Sequence, residues 1–284
     1  MEIIDAQIHP PQPLRAWTDG DKDEHAARDV ELGLSAMDAV GVDAAVIHAD
    51  EHFSDIAWRL YPDRFRGMVD FLEPTLPDID GAVEHIKSHP GMVGFRLIPC
   101  FPPEGPKVEL LKNGGYEPWF KAAERHDVPV VVFLWGHVPE AAKIAKAHPD
   151  LTLVVDHVGA APIPLAPLTP DRLDHLPDLV ALAKFPNVAV KMTGVPGLSL
   201  ESYPFHDLID PVKRIIDAFG ADRLMWGSDF TRLMMDPKTY SRGKPVRTYA
   251  EILDFMKHVV KLSDSDRALM FGGTLRRLYR WSKE

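Results

Sequence analysis

Short runs dominated by Val, Ile, Leu and Phe alternate along the chain with longer stretches whose apolar residues recur every three or four positions. The short runs predict eight strands: Glu2–His9, Asp43–Ala49, Phe65–Phe71, Met92–Ile98, Pro129–Trp135, Leu151–His157, Asn187–Gly194 and Arg223–Asp229. Several are apolar nearly throughout, as parallel strands covered on both faces are. The longer stretches, such as DVELGLSAMDAVG, VPEAAKIAKAHPD and FHDLIDPVKRIIDAFG, predict amphipathic helices that stop at His-Pro, Gly or Asp just ahead of the next strand. Eight strand–helix units over roughly 250 residues match a closed (β/α)8 TIM barrel, an α/β fold. The terminal SDSDRALMFGGTLRRLYRW predicts a C-terminal helical extension. No linker interrupts the alternation, so residues 1–284 are read as a single domain. An open doubly wound sheet has fewer strands, and the chain has neither a Gly-x-Gly-x-x-Gly turn nor a Walker loop to support its nucleotide-binding form.

A barrel gathers the C-terminal ends of its strands at one mouth. The polar residues brought there are Gln7 and His9, His48, Asp70, Arg96, Trp135 with His137 beyond it, Asp156 and His157, Lys191, and Ser228 and Asp229. Each has a plain structural reading beside a chemical one. His48 and His137 read best as loop histidines next to a helix start. Asp70 fits a strand-end turn. Asp5 and Asp156 read as positions on the alternate face that support backbone or neighbours. Lys191 is open to two placements, in the mouth or between outer helices. His9, His157, Arg96 and Asp229 are harder to explain as filler, because a buried ionisable group costs several kcal/mol unless it is paired.

Composition narrows the setting. A formal charge of −10 over 284 residues, with no basic cluster, argues against a nucleic-acid surface. No window approaches the ~18 uninterrupted apolar residues of a membrane span, and no basic-then-apolar leader opens the chain, so a cytoplasmic protein is expected. Cys100 is the lone cysteine, so a metal site would have to use His and carboxylate. The expected partner is a small, anionic molecule; self-association stays open.

IIDAQIH, GFRLI, VVVDHVG, VAVKMTG and LMWGSDF, in this order on strands one, four, six, seven and eight, resemble the amidohydrolase superfamily. The resemblance covers essentially the whole chain and is nearest to amidohydrolase family 2, with its lactonases and nonoxidative decarboxylases. It implies metal ligands on strands one, five, six and eight, which here fall on His9, His157 and Asp229. Two positions depart from that pattern: Gln7 stands where the first strand-one histidine is expected, and strand five ends in Phe133-Leu134-Trp135. An amide offers a transition metal less than an imidazole does. The reduced set therefore implies either no cofactor or one weakly held divalent metal, zinc or manganese.

Without a strongly bound metal, water is a weaker nucleophile, which favours an easily opened ester over an amide. The reading that follows is a hydrolase opening a carboxylated lactone. Asp229 is the general base, and His157 and His9 donate to the developing oxyanion. Arg96 grips a substrate carboxylate and Lys191 adds charge. Gln7 and Ser228 line the site, and Trp135, Phe101 and Trp119 are candidates for an apolar wall, with Trp119 better placed in the core. The alternative is a metal-dependent nonoxidative decarboxylase of an aromatic or muconate-type acid, and a silent barrel without turnover is a third reading. Proline-rich loops after the strands form stiff walls, and Arg232, Lys238, Arg242 and Lys244 give the last of them a charge suited to steering an anion.

Overall fold

The computed structural model describes residues 1–11, 22–161, 168–234 and 246–282. Eight strands form one parallel sheet in sequence order: β1 Ile4–Ile8, β2 Ala44–Ala49, β3 Phe65–Phe71, β4 Met92–Leu97, β5 Val130–Val132, β6 Leu153–Val155, β7 Val188–Thr193 and β8 Leu224–Gly227. The seam between β1 and β8 is drawn together where Asp229 N donates to Gln7 O at 3.0 Å and Ser228 N to the Asp5 carboxylate at 2.8 Å. The architecture is a TIM barrel with helices outside it, among them α1 Lys22–Val40, α2 Glu51–Leu60 and α3 Ile79–Ser88. Local chemistry starts these helices where expected: Asp50 caps α2 by accepting from Phe53 N, and Asp78 caps α3 by accepting from Gly81 N. None of the helices among the described residues is long and apolar enough to cross a membrane.

All eight predicted strands are present, but β5 and β6 are only three residues long. At β6 the reason is local. Beyond Val155 the chain turns into left-handed backbone at His157 (φ 48°) and Val158 (φ 50°), so the residues carried to the mouth have left the ladder.

Two cores are separate. The larger lies between the sheet and the helices and takes Ile8, Ile47, Phe95, Leu97, Val132 and Val190, together with Trp119. Trp119 belongs to this core and donates its indole N–H to Pro74 O at 2.7 Å. The smaller fills the barrel itself with Ile4, Ala6, Val46, Met68, Val131, Val154, Ala189 and Met225, and it is closed from below by Leu275, Tyr279 and Trp281 of the C-terminal extension. Arg276 pairs with both carboxylate oxygens of Glu2 at 2.7 Å, tying that extension to the first strand.

Gly227 marks how tightly β8 passes β1 and β7. A Cβ there would lie 2.7 Å from Thr193 Oγ1 and 3.3 Å from the Gln7 backbone nitrogen. Gly227→Ala is therefore expected to lower stability by about 1–3 kcal/mol, read as a shift of the urea midpoint without a change in m. An unshifted midpoint would show the seam to be looser than this.

Candidate active site

A bulge in β1 sets the first side chains of the site. Ile4 and Asp5 pair with Ala44 and Ala45, but Ile8 pairs with Ile47, so one extra residue is absorbed between Asp5 and Ile8. Ala6 faces the inner core, and Gln7 is turned inward directly after it. Asp5 is left on the outer side of the seam, where it accepts from the Gln7 and Ser228 backbone N–H groups and from Tyr249 Oη at 2.8 Å. Burial pushes the Asp5 carboxyl up to about 6 against the pull of these three donors and of the Ser228 hydroxyl. Two more mouth residues are aimed by left-handed backbone, His157 and Asp229 (φ 53°), conformations that a non-glycine residue holds only when its surroundings impose them.

Gln7 stands between two imidazoles. Lys191 Nζ donates to Gln7 Oε1. An ammonium has no acceptor, so this bond settles which end of the amide is oxygen and leaves the NH2 group facing His9 Nε2 at 3.3 Å and His157 Nε2 at 3.1 Å. The tautomers follow. His9 Nδ1 lies 2.8 Å from His48 O and His157 Nδ1 lies 3.2 Å from Thr193 O, and a carbonyl only accepts. Both rings thus carry their proton on Nδ1 and offer an Nε2 lone pair to Gln7. Burial keeps them neutral, holding His9 well below its ordinary value and His157 at about 4. The expected role of these two histidines as donors into the mouth does not fit this arrangement, because their N–H groups point to backbone carbonyls.

Around them runs a closed circuit of five buried or half-buried groups from β2, β3, β4, the end of β6, and β7. Asp70 accepts from His48 Nδ1 at 3.0 Å, and Lys191 Nζ donates to His48 Nε2 at 2.9 Å. Lys191 also faces Asp156 Oδ1 at 3.3 Å. Asp156 Oδ2 pairs with Arg96 at 2.6 Å, and Arg96 reaches back to Asp70 at 3.4 Å. Burial opposes the charges of Arg96, Asp156 and Lys191, but partners prevail at the first two. Arg96 is raised by Asp156 and Asp70, and Asp156 is held well below the carboxylate range by Arg96 and Lys191. At Lys191 burial wins and brings the ammonium down to about 8.

The circuit corrects three sequence readings. His48 is fully buried inside the barrel and bonded to Lys191 rather than lying in a loop, and Asp156 faces inward rather than onto the alternate face. Lys191 is in the barrel, and Asp70 is part of the site rather than an isolated turn residue. His137 does lie in a loop, 2.7 Å from Pro103 O.

Asp229 stands apart from the circuit. Its Oδ1 is buried and 3.5 Å from His9 Nε2, yet it receives no hydrogen bond. Burial is the largest influence and lifts the carboxyl to about 7, with Arg232 and Arg96 pulling the other way. Arg96 Nε and Thr193 Oγ1 are likewise buried without a hydrogen-bond partner, so three unsatisfied polar atoms gather at one end of the barrel. Gly194 passes between the walls, and a Cβ there would meet both Asp229 Cβ and His157 Nδ1 at 3.6 Å.

Beside this polar wall lies an apolar one. Phe133 packs edge-on against His157 with centroids 5.7 Å apart and lies under the Arg96 guanidinium at 5.6 Å. Half-buried Trp135 and Ile98 pack with Phe133 and Ala161, and exposed Phe101 stands 6.4 Å from Phe133. Phe133 is the member sequence reasoning missed; its position two residues beyond inward-facing Val131 is the signal that could have found it. Ser228 Oγ accepts from Phe230 N at 3.1 Å, which places it in the turn that carries Asp229. Arg232 is half-buried in the mouth, whereas Lys238, Arg242 and Lys244 lie outside the described residues.

A divalent ion between His9, His157 and Asp229 would need the two Nε2 lone pairs that Gln7 occupies, and it would sit beside Lys191 and Arg96. Among the described residues no three histidine, cysteine, aspartate or glutamate side chains come together as a metal-holding group. The donor set as arranged does not fit a metal.

The amidohydrolase family model matches residues 4–281. The chain belongs to the amidohydrolase family. A curated relative, L-fucono-1,5-lactonase of Burkholderia ambifaria, is 34% identical over 118 residues, covering 40% of this chain and 38% of that protein's length. Among solved structures, an amidohydrolase from Burkholderia multivorans with bound zinc superposes with a TM-score of 0.73 at 19% identity, over 99% of both chains. A probable 2-pyrone-4,6-dicarboxylic acid hydrolase from Acinetobacter baumannii, with citric acid bound, gives 0.68 at 18% identity over 99% of this chain and 100% of that one. At these identities the two structures show the shared barrel.

Proposed function

We propose that this amidohydrolase opens a lactone by hydrolysis, with Asp229 taking the proton of the attacking water. The observation that carries the reading is Asp229 Oδ1, buried at the mouth without a hydrogen-bond partner; burial lifts this carboxyl to about 7, where a base is half ionised at neutral pH. Water oxygen bonds to the ring carbonyl carbon, the ring C–O bond breaks, and Asp229 returns its proton to the departing alkoxide, giving a hydroxy acid. The donor offered to the carbonyl oxygen as it gains charge is Arg96, whose Nε is buried and unpartnered. Neutral His9 and His157 act instead by holding Gln7 and the Asp229 side of the wall. Phe133 supports one face of the ring.

The carboxylate grip expected of Arg96 is taken up within the protein by Asp156 and Asp70. An uncharged lactone therefore suits the circuit better than a carboxylated one, in keeping with the partial likeness to a fuconolactonase. Decarboxylation calls for a metal to orient the leaving carboxylate, and the donor arrangement gives that reading less support.

The test is a panel of neutral sugar lactones, carboxylated lactones and aromatic acids, followed by proton release and by carbon dioxide release. Opening of neutral lactones is expected; carbon dioxide from the acids with every lactone intact would overturn the proposal. A pH profile adds a second check. With the base at about 7, kcat/KM is expected to climb tenfold per pH unit below that value and to level above it, after subtraction of spontaneous opening. A flat profile from acid to neutral pH would remove Asp229 as the base.

A further inference from the structure

We propose that Lys191 locks the Gln7 amide between His9 and His157, so that this chain supplies its own occupant for the space a divalent cation would take. The donor arrangement carries the inference. Lys191 is fully buried, and its ammonium has three protons with three recipients: Gln7 Oε1, His48 Nε2 at 2.9 Å and Asp156 Oδ1 at 3.3 Å. It has no spare donor for a substrate, which marks it as a positioning residue. The Gln7 amide is spent in the same way, its oxygen on Lys191 and its two N–H groups on the histidine lone pairs at 3.3 and 3.1 Å.

A metal bound by those lone pairs would stand about 2 Å from each nitrogen. That region is the one the amide nitrogen fills. Admitting the ion requires Gln7 to swing away, which strips a buried ammonium of one acceptor and brings two like charges, Lys191 and the metal, close together. Rotating the amide in place gives no relief, because it would aim N–H groups at Lys191. Gln7 is thus more than a missing ligand: its hydrogen-bond polarity is opposite to what a cation needs, and Lys191 enforces it.

The experiment measures metal rather than turnover, so its outcome is independent of whether lactones prove to be substrates. Full-length wild type, Gln7→Glu, Lys191→Met and the double variant Gln7→Glu with His9→Ala are equilibrated with zinc chloride, dialysed, and analysed for zinc per chain, with calorimetric titration alongside. Gln7→Glu is nearly isosteric and replaces only the NH2 group by an acceptor. The wild type is expected to lose its zinc on dialysis. Gln7→Glu is expected to retain about one per chain and to bind at least ~100-fold more tightly, and His9→Ala in that background to abolish retention. Lys191→Met, which frees the amide to turn its oxygen inward, is expected to fall between. One zinc retained per wild-type chain after dialysis would overturn the proposal. So would a folded Gln7→Glu protein, by circular dichroism, that binds zinc no better than wild type. Should Lys191→Met fail to fold, the wild-type and Gln7→Glu measurements still decide it.

Discussion

Asp229→Asn is expected to lower kcat by about 10³-fold with KM changed little, and at the same time to make the protein more stable above neutral pH. The two effects share a cause. The folded carboxyl titrates at about 7 because burial disfavours its charge, whereas the unfolded chain releases the same proton near 3.8. The folded state therefore binds the proton more tightly, and its stability is fullest below the unfolded value and declines as pH rises through about 7. The ionised carboxylate costs the folded state on the order of 4 kcal/mol at alkaline pH, and asparagine removes that cost while keeping shape. Calorimetric melting on either side of neutrality checks this: the gain in Tm should be large above pH ~8 and small below pH ~5. A variant that keeps wild-type kcat, or whose Tm gain does not depend on pH, would contradict the assignment.

Arg96→Met is expected to be the most damaging single change in the mouth. It leaves Asp156, which is fully buried, with Lys191 as its remaining cation, and it strips Asp70 of its guanidinium. Breaking a buried pair from one side costs about 3–5 kcal/mol, because the remaining charge has no water to return to. Removing the opposing carboxylate as well, in Arg96→Met with Asp156→Leu, should restore part of that loss, with a coupling energy above ~1 kcal/mol from denaturant unfolding. Activity should stay lost in the pair, since Arg96 Nε goes with the guanidinium. Additive destabilisation would show that the two groups do not share the interaction seen in the structure.

The barrel was legible because its signal is redundant: eight apolar runs, each with its own punctuation, all point to one topology. The ends of the strands were less so. Counting in twos cannot see the β1 bulge that turns Gln7 inward directly after Ala6 and sends Asp5 outward. Nor does it see the left-handed turn after β6, which lets neighbours Asp156 and His157 both reach the mouth. His48 was misplaced because an isolated strand-end histidine looks the same whether it meets solvent or a lysine 143 residues away. His9, His157, Arg96, Lys191 and Asp229 do converge as the sequence suggests; proton positions and the Phe133 wall depend on partners brought together by tertiary structure. The partial match to a lactonase and the whole-chain family match agree with the hydrolase reading, and the structure adds which groups hold protons and which are already spent.

The inner core of the barrel is completed by Leu275, Tyr279 and Trp281, and Arg276 clasps Glu2 beside the first strand. During synthesis, β1 through β8 emerge from the ribosome before the residues that seal them from below. The inner core of a nascent barrel therefore stays open at its lower end until the Thr274–Leu278 helix has been made.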